Sequence, residues 1–375
     1  MSACSDGPVT FVPGHRLSEA LYAEVVGPVL ADRFPRMPYA AALLGHGSDV
    51  LGYDTARSAD HDWGPRLTVV LGAGALEEHR DAVLDAVEAV LPERILGVAV
   101  DHLGSANRPD GEVTYTNSAG RSRPHGVTVD SVPGLLASML DLAGTGPGDL
   151  DPAAWLSLPQ QSLLELTAGP CLRDDTGQLT TARERLAFYP HDVWLHLMAA
   201  RWQRIAQLEA FVGRTGELGD DLGSHLVTAS LLRDVLHLAL LQERRYAPYA
   251  KWLGTAYRRS NAAVPLDAHL TAARTATTWQ DRAAAVVGAL GELGRRHDAL
   301  GVTEPVGAEA RTFFDRPYRV LFVEQYADAL RAAVSDPAVQ RLPHDVGGID
   351  TLTDSTLALA NPSLRRRLRD WWRQA

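Results

Sequence analysis

Gly45-His46-Gly47-Ser48-Asp49-Val50-Leu51-Gly52-Tyr53, followed by Arg57-Ser58-Ala59-Asp60-His61-Asp62-Trp63-Gly64-Pro65-Arg66, is the stretch whose reading decides the fold. The apolar run Tyr39 to Leu44 leads into it and reads as a buried strand. Gly45 and Gly47 let the backbone turn sharply and come close to a ligand. Ser48 stands where a hydroxyl and an N–H meet a phosphate. Asp60 and Asp62 alternate, and in an extended segment alternate residues point to one side. Two carboxylates on one side repel each other unless a cation lies between them. Mg²⁺ suits that arrangement, because it takes one or two protein carboxylates and completes its shell with phosphate oxygens and water. A second strand, roughly His61 to Leu71, is expected to carry the pair.

Outward from this stretch the pattern is that of a sheet with helices. Leu21, Val25, Val26, Val29, Leu30 and Phe34 recur at helical spacing and predict a helix that packs behind the first strand. After the second strand, Ala75 to Leu91 reads as an amphipathic helix and Ile95 to Val100 as another strand. Asp101 to Arg123 is polar and without periodicity. Val127-Thr128-Val129-Asp130 is a further strand, followed by a helix from Pro133 to Leu142. Gly144-Thr145-Gly146-Pro147-Gly148-Asp149 collects turn residues with no apolar anchor and reads as a linker. The expected division is residues 1–146 as an α+β domain with a mixed sheet and 147–375 as a larger, all-helical domain.

Within the helical domain a long helix is expected from Asp192 to Val212 with Gly213 as its C-cap, and another from Gly219 through Tyr246. Tyr246-Ala247-Pro248-Tyr249-Ala250-Lys251-Trp252 then sets aromatic rings around Lys251, the only lysine in the chain. A compact ammonium beside aromatic rings suits a phosphate next to a stacked base or sugar, and a helix–helix joint would use the same residues.

The balance of 36 Lys and Arg against 46 Asp and Glu gives a net charge of −10, which argues against a nucleic-acid partner. The two cysteines, Cys4 and Cys171, suggest neither a disulfide framework nor a zinc site. No leader-like segment and no membrane-length apolar run is read in the sequence, so a cytoplasmic location is expected.

A strand, the Gly47-Ser48 turn, a short connection and Asp60-x-Asp62 on the next strand together resemble the nucleotidyltransferase superfamily, the polymerase-beta-like fold. The wider sequence is similar to DUF4037 domain proteins within it, through residues 47–54, 60–66, 189–194 and 246–252. The layout also resembles adenylyltransferases that modify aminoglycosides. The resemblance implies Mg²⁺-dependent transfer of a nucleoside monophosphate from an NTP, ATP first among them, to a small-molecule acceptor with release of pyrophosphate. Gly47 and Ser48 would hold the triphosphate, and Asp60 and Asp62 the metal. Lys251 or Arg66 would steady the pyrophosphate, and Asp130 or Glu243 would take the acceptor's proton. The superfamily often adds a third metal-binding carboxylate on a later strand. Asp130 is the candidate and Asp101 the alternative, although Asp130 also suits the N-cap of the helix that follows it. Two other readings of the same fold are a nucleotide-binding regulator without turnover and an enzyme of specialised metabolism with different chemistry.

Overall fold

The computed structural model describes residues 11–58, 62–100, 125–144, 146, 148, 150–344 and 346–375. The chain is α+β and divides into two compact units. One comprises Met1–Asp149 with Ser162–Ala187, the other Leu150–Gln161 with Phe188–Ala375.

The first unit is built on strands β1 (Tyr39–Ala42), β2 (Arg66–Leu71), β3 (Arg94–Ile95), β4 (Val98–Ala99), β5 (Gly126–Asp130) and β6 (Cys171–Asp174). Four of them form a mixed sheet in the order β5-β2-β1-β6. β1 runs antiparallel to β2, with Ala40 opposite Val70, and antiparallel to β6, with Ala41 opposite Arg173. β2 and β5 are parallel, with Thr68 opposite Thr128. A parallel pair needs a crossover, and the helix Ala73–Glu88 lies in it. All four residues of β1 are buried, as their unbroken apolar run requires. The expected N-terminal helix is helical from Gly14 to Arg33 with a π turn at Tyr22–Val26. Its Leu21, Val25 and Leu30 meet Val83 and Val87 of the crossover helix and Val69 and Val129 of the sheet in one core.

Two expectations for this unit are corrected. Ile95 to Val100 is not one strand. Leu96 (φ 48°) and Gly97 (φ 82°) turn it into a tight hairpin of β3 and β4, since two positive φ values match the twist of a two-residue turn. The single division at residue 146 is also incomplete: the chain first passes to the second unit after Asp149, and Ser162–Ala187 returns to the first. β6 is the reason. Cys171-Leu172-Arg173-Asp174 is short and half polar, yet it pairs with β1 and covers that sheet edge. Gly169 makes the approach possible, since a Cβ there would lie 2.1 Å from the Leu43 carbonyl oxygen.

The second unit is helical, apart from a ribbon of β7 (Arg311–Thr312) and β8 (Arg319–Val320). The first long helix is His191–Leu208, and Gly213 does not cap it. Gly213 lies inside the next helix, Phe211–Glu217, where a Cβ would come within 2.7 Å of the Tyr318 ring. The helix Asp221–Gln242 is long and apolar enough to cross a membrane by length and composition, which the sequence reading passed over. Half of that window is buried against protein, and its Asp234 is fully buried between Arg201 (2.7 Å) and Arg204 (2.9 Å). In this structure it is a core helix.

Asp350, in the short helix Ile349–Leu352, accepts the Gln160 N–H at 3.1 Å. Burial pushes its carboxyl up to about 6 from 3.8, against the pull of that hydrogen bond and of Arg201. The folded state therefore holds the proton more tightly, so this group's contribution falls as pH rises from about 4 to about 6. The loss is on the order of 3 kcal/mol. Asn keeps the acceptor oxygen without the titration. Urea unfolding across this range should show wild type losing stability relative to Asp350→Asn as pH rises. A pH-independent gap between the two would refute the assignment.

Candidate functional site

Beyond β1 the chain is pinned before it turns. The Leu43 N–H donates to Pro170 O (3.0 Å) and the Gly45 N–H to Glu165 O (2.9 Å). Gly45 (φ 93°) and Gly47 (φ 118°) then take conformations that suit glycine. The turn closes through the Gly52 N–H to Asp49 O (3.1 Å) and the Tyr53 N–H to Ser48 O (2.9 Å). A Cβ on Gly47 would lie 2.4 Å from Asp62 O, 2.5 Å from Asp49 Oδ1 and 2.6 Å from Arg66 Nη2. The structure thus brings Gly47, Ser48, Asp62 and Arg66 to one place. Ser48 is partly exposed, and its hydroxyl makes no hydrogen bond among the described residues.

The route by which Asp62 gets there differs from the expectation. β2 begins at Arg66 rather than His61, and Asp62 precedes it with φ 49°. Alternation along an extended strand therefore does not reach Asp62. A left-handed residue, which aspartate tolerates better than most, places its carbonyl against Gly47. Asp60 and Asp101 lie outside the described residues.

Arg66 is committed to Asp49. Its Nε lies 3.0 Å from Oδ2 and its Nη2 2.5 Å from Oδ1, while Nη1 reaches Leu44 O at 3.3 Å. The Asp49 side chain is fully buried and that of Arg66 is 11% exposed. Asp49 Oδ1 also accepts the Val50 N–H (2.9 Å). This fork holds the turn in shape, so Arg66 is a positioning residue rather than an open phosphate ligand. The sequence reading missed Asp49. The available signal was an aspartate inside the turn followed directly by Val50-Leu51, which asks for a buried partner. Asp54 adds a second tie, accepting the Gly14 N–H (2.7 Å) and the Trp63 Nε1–H (3.1 Å).

His46 was not singled out from the sequence. Its Nδ1 lies 3.0 Å from Glu165 Oε1. The Glu165 side chain is 7% exposed and that of His46 is 78% exposed. This hydrogen bond raises the proton affinity of the ring above that of an ordinary histidine. The charges of Glu165 and Asp62 add to it, while desolvation and Arg66 oppose.

The remaining candidates are placed elsewhere or otherwise engaged. Asp130 is opposite Val70 in the parallel β2–β5 pair, whereas Asp62 precedes Arg66 at the start of β2. The four residue steps from Arg66 to Val70 alone span about 13 Å. A third carboxylate at Asp130 therefore does not join Asp62. Its Oδ1 accepts the Ser131 N–H (2.7 Å), and Ser131, not Asp130, caps the following helix through the Gly134 N–H. Glu243, in the second unit, accepts the Ala262 N–H (2.7 Å), the Asn261 N–H (3.2 Å) and Arg296 (2.9 Å), so it is a structural acceptor. Lys251, also in the second unit, is exposed, with Nζ 5.1 Å from the Trp252 ring centroid. Among the described residues no three His, Cys, Asp or Glu side chains are arranged to hold a metal.

Two of the sequence stretches behind the family resemblance meet in the core of the second unit. The ring of Tyr189 stands edge-on to Tyr246 at 5.1 Å, and the Trp194 Nε1–H donates to Leu241 O at 2.7 Å. Residues 155–253 match the family described as Domain of unknown function (DUF4037). That span contains both stretches and Glu165. The chain is also similar to the crystal structure of a nucleotidyltransferase-like protein from Exiguobacterium sibiricum 255-15. The identity is 11%, with 76% of this chain and 77% of that one covered, and the TM-score of 0.33 makes the likeness distant. No curated protein matches the sequence.

Proposed function

We propose that the first unit is a nucleotidyltransferase that moves a nucleoside monophosphate from an NTP, ATP first among them, to a small-molecule acceptor. The observation that carries this is the close approach of Gly47 to the Asp62 carbonyl, which sets the Gly47-Ser48 turn beside the second aspartate of the Asp-x-Asp motif. Such transfer is mostly positioning and charge neutralisation. The turn would hold the triphosphate through backbone N–H groups and Ser48, and Arg66 would keep it in shape through Asp49. Asp60 and Asp62 would hold Mg²⁺, since a site of few carboxylates that leaves room for phosphate oxygens fits this cation. When bound, the metal would neutralise the charge of the phosphates.

The test is thermal unfolding with ATP, GTP, CTP and UTP, each with and without Mg²⁺. A ligand held at a hundred times its Kd stabilises the folded state by about 2.7 kcal/mol. A Mg²⁺-dependent rise in Tm with one nucleotide is expected, and its loss in Asp60→Ala/Asp62→Ala. No rise with any nucleotide counts against the proposal. The placement of Asp130 and the engagement of Glu243 favour a second reading, a nucleotide-binding protein without turnover. It predicts the same Tm rise but no pyrophosphate.

A further inference from the structure

Transfer to a hydroxyl is helped by a group that takes its proton, and neither carboxylate nominated from the sequence stands ready. Asp130, the last residue of β5, lies opposite Val70 toward the far end of β2, and Glu243 is committed to two backbone N–H groups and Arg296. We propose that His46, oriented by Glu165, is the general base of this site, an assignment that rests on the nucleotidyltransferase reading. An ionised carboxylate only accepts hydrogen bonds, so the 3.0 Å contact with Glu165 puts the hydrogen of a neutral imidazole on Nδ1. The lone pair then lies on Nε2, on a ring that is largely open to solvent. The buried Glu165 carboxylate stabilises the imidazolium as it forms, the role a carboxylate plays in other histidine-based sites.

The pair is built into the turn. Glu165 lies on the helix Gln160–Thr167, and its own carbonyl accepts the Gly45 N–H at 2.9 Å, so side chain and backbone both tie that helix to the His46 turn. His46 directly precedes Gly47, whose Cα packs against Asp62. The base therefore sits at the junction of phosphate turn and aspartate segment. In the step itself the acceptor oxygen bonds to the α-phosphorus and its proton passes to Nε2. The bond from the α-phosphorus to the bridging oxygen breaks, and pyrophosphate leaves with that electron pair. The imidazolium then returns its proton to solvent.

The alternative is a purely structural pair that keeps the buried Glu165 carboxylate partnered, so the Tm of His46→Ala is measured beside its rate to show that the variant is folded. The test uses the full chain with Mg²⁺ and ATP, or the NTP that raises Tm most, with water and glycerol as acceptors and pyrophosphate as the readout. His46→Ala should lower kcat by about 10²–10⁴ with KM for the nucleotide unchanged. Added imidazole should restore part of the rate, because the exposed ring leaves a gap that free imidazole can enter. Glu165→Gln should lower kcat, again with KM unchanged. A wild-type rate in His46→Ala overturns this assignment and leaves the transferase reading standing. A raised KM with normal kcat, or a lost rate that imidazole does not restore, also overturns the base role. If wild type releases no pyrophosphate from any nucleotide, the transferase reading falls and the base with it.

Discussion

Replacing Arg66 with alanine should cost the first unit about 3–5 kcal/mol, because it leaves Asp49 charged and buried without its partner. The cost is not that of a surface ion pair. Asp49 is fully buried, and the guanidinium meets it through two nitrogens at 3.0 and 2.5 Å while also serving Leu44 O. Arg66→Lys should recover little, since an ammonium cannot make the fork. Arg66→Met with Asp49→Asn should recover most, because the charge is gone and Asn keeps an acceptor for the Val50 N–H. Added salt should change the wild-type pair little, as ions do not reach a buried site. Amide hydrogen exchange on β1 and β2 is the suitable probe. Trp63 is the one tryptophan of the first unit among the eight in the chain, so fluorescence would report mainly on the second unit. Equal protection in wild type and Arg66→Ala would mean that the fork does not hold the turn.

The same pair shows what the sequence could and could not disclose. Tyr39 to Leu44, Leu67 to Leu71 and Val127 to Val129 read as strands because buried strands are runs of apolar residues, and each of them contains a strand. The turn was legible because glycines cluster where the chain must leave the sheet. β6 was not, since an edge strand needs no apolar run and its partner lies more than a hundred residues away. The direction of β5 was not either. A short run of Val and Thr reads alike in both directions, and only the parallel pairing carries Asp130 away from Asp62. Partners escape a sequence reading in the same way. Arg66 looked like a phosphate ligand until Asp49 occupied it, Glu243 looked like a base until two N–H groups did, and His46 looked incidental until Glu165 met it.

Gly47→Ala should be strongly damaging to the first unit, and Gly52→Ala is its control. Both glycines have positive φ, 118° and 64°, so both variants bear backbone strain. At Gly52 nothing lies within 4 Å of a new Cβ, and the expected cost is that of one left-handed residue, about 1–2 kcal/mol. At Gly47 the methyl would lie 2.4 Å from a backbone carbonyl and 2.5 and 2.6 Å from the two halves of the Asp49–Arg66 fork. None of these is the loose end of a flexible chain. Relief must come from moving Asp62 away from the turn, from opening the fork, or from both, and the first of these dismantles the proposed nucleotide site. Gly47→Ala should therefore lose more than about 3 kcal/mol, into the range reserved for named structural failures. It should also lose the Mg²⁺-dependent Tm rise at temperatures where the unit is still folded. Gly52→Ala should keep that rise. Equal costs for the two variants would show that strain alone matters and that the contact with Asp62 is incidental. A destabilised Gly47→Ala that still gains full protection from Mg²⁺ and nucleotide would separate the turn from the site.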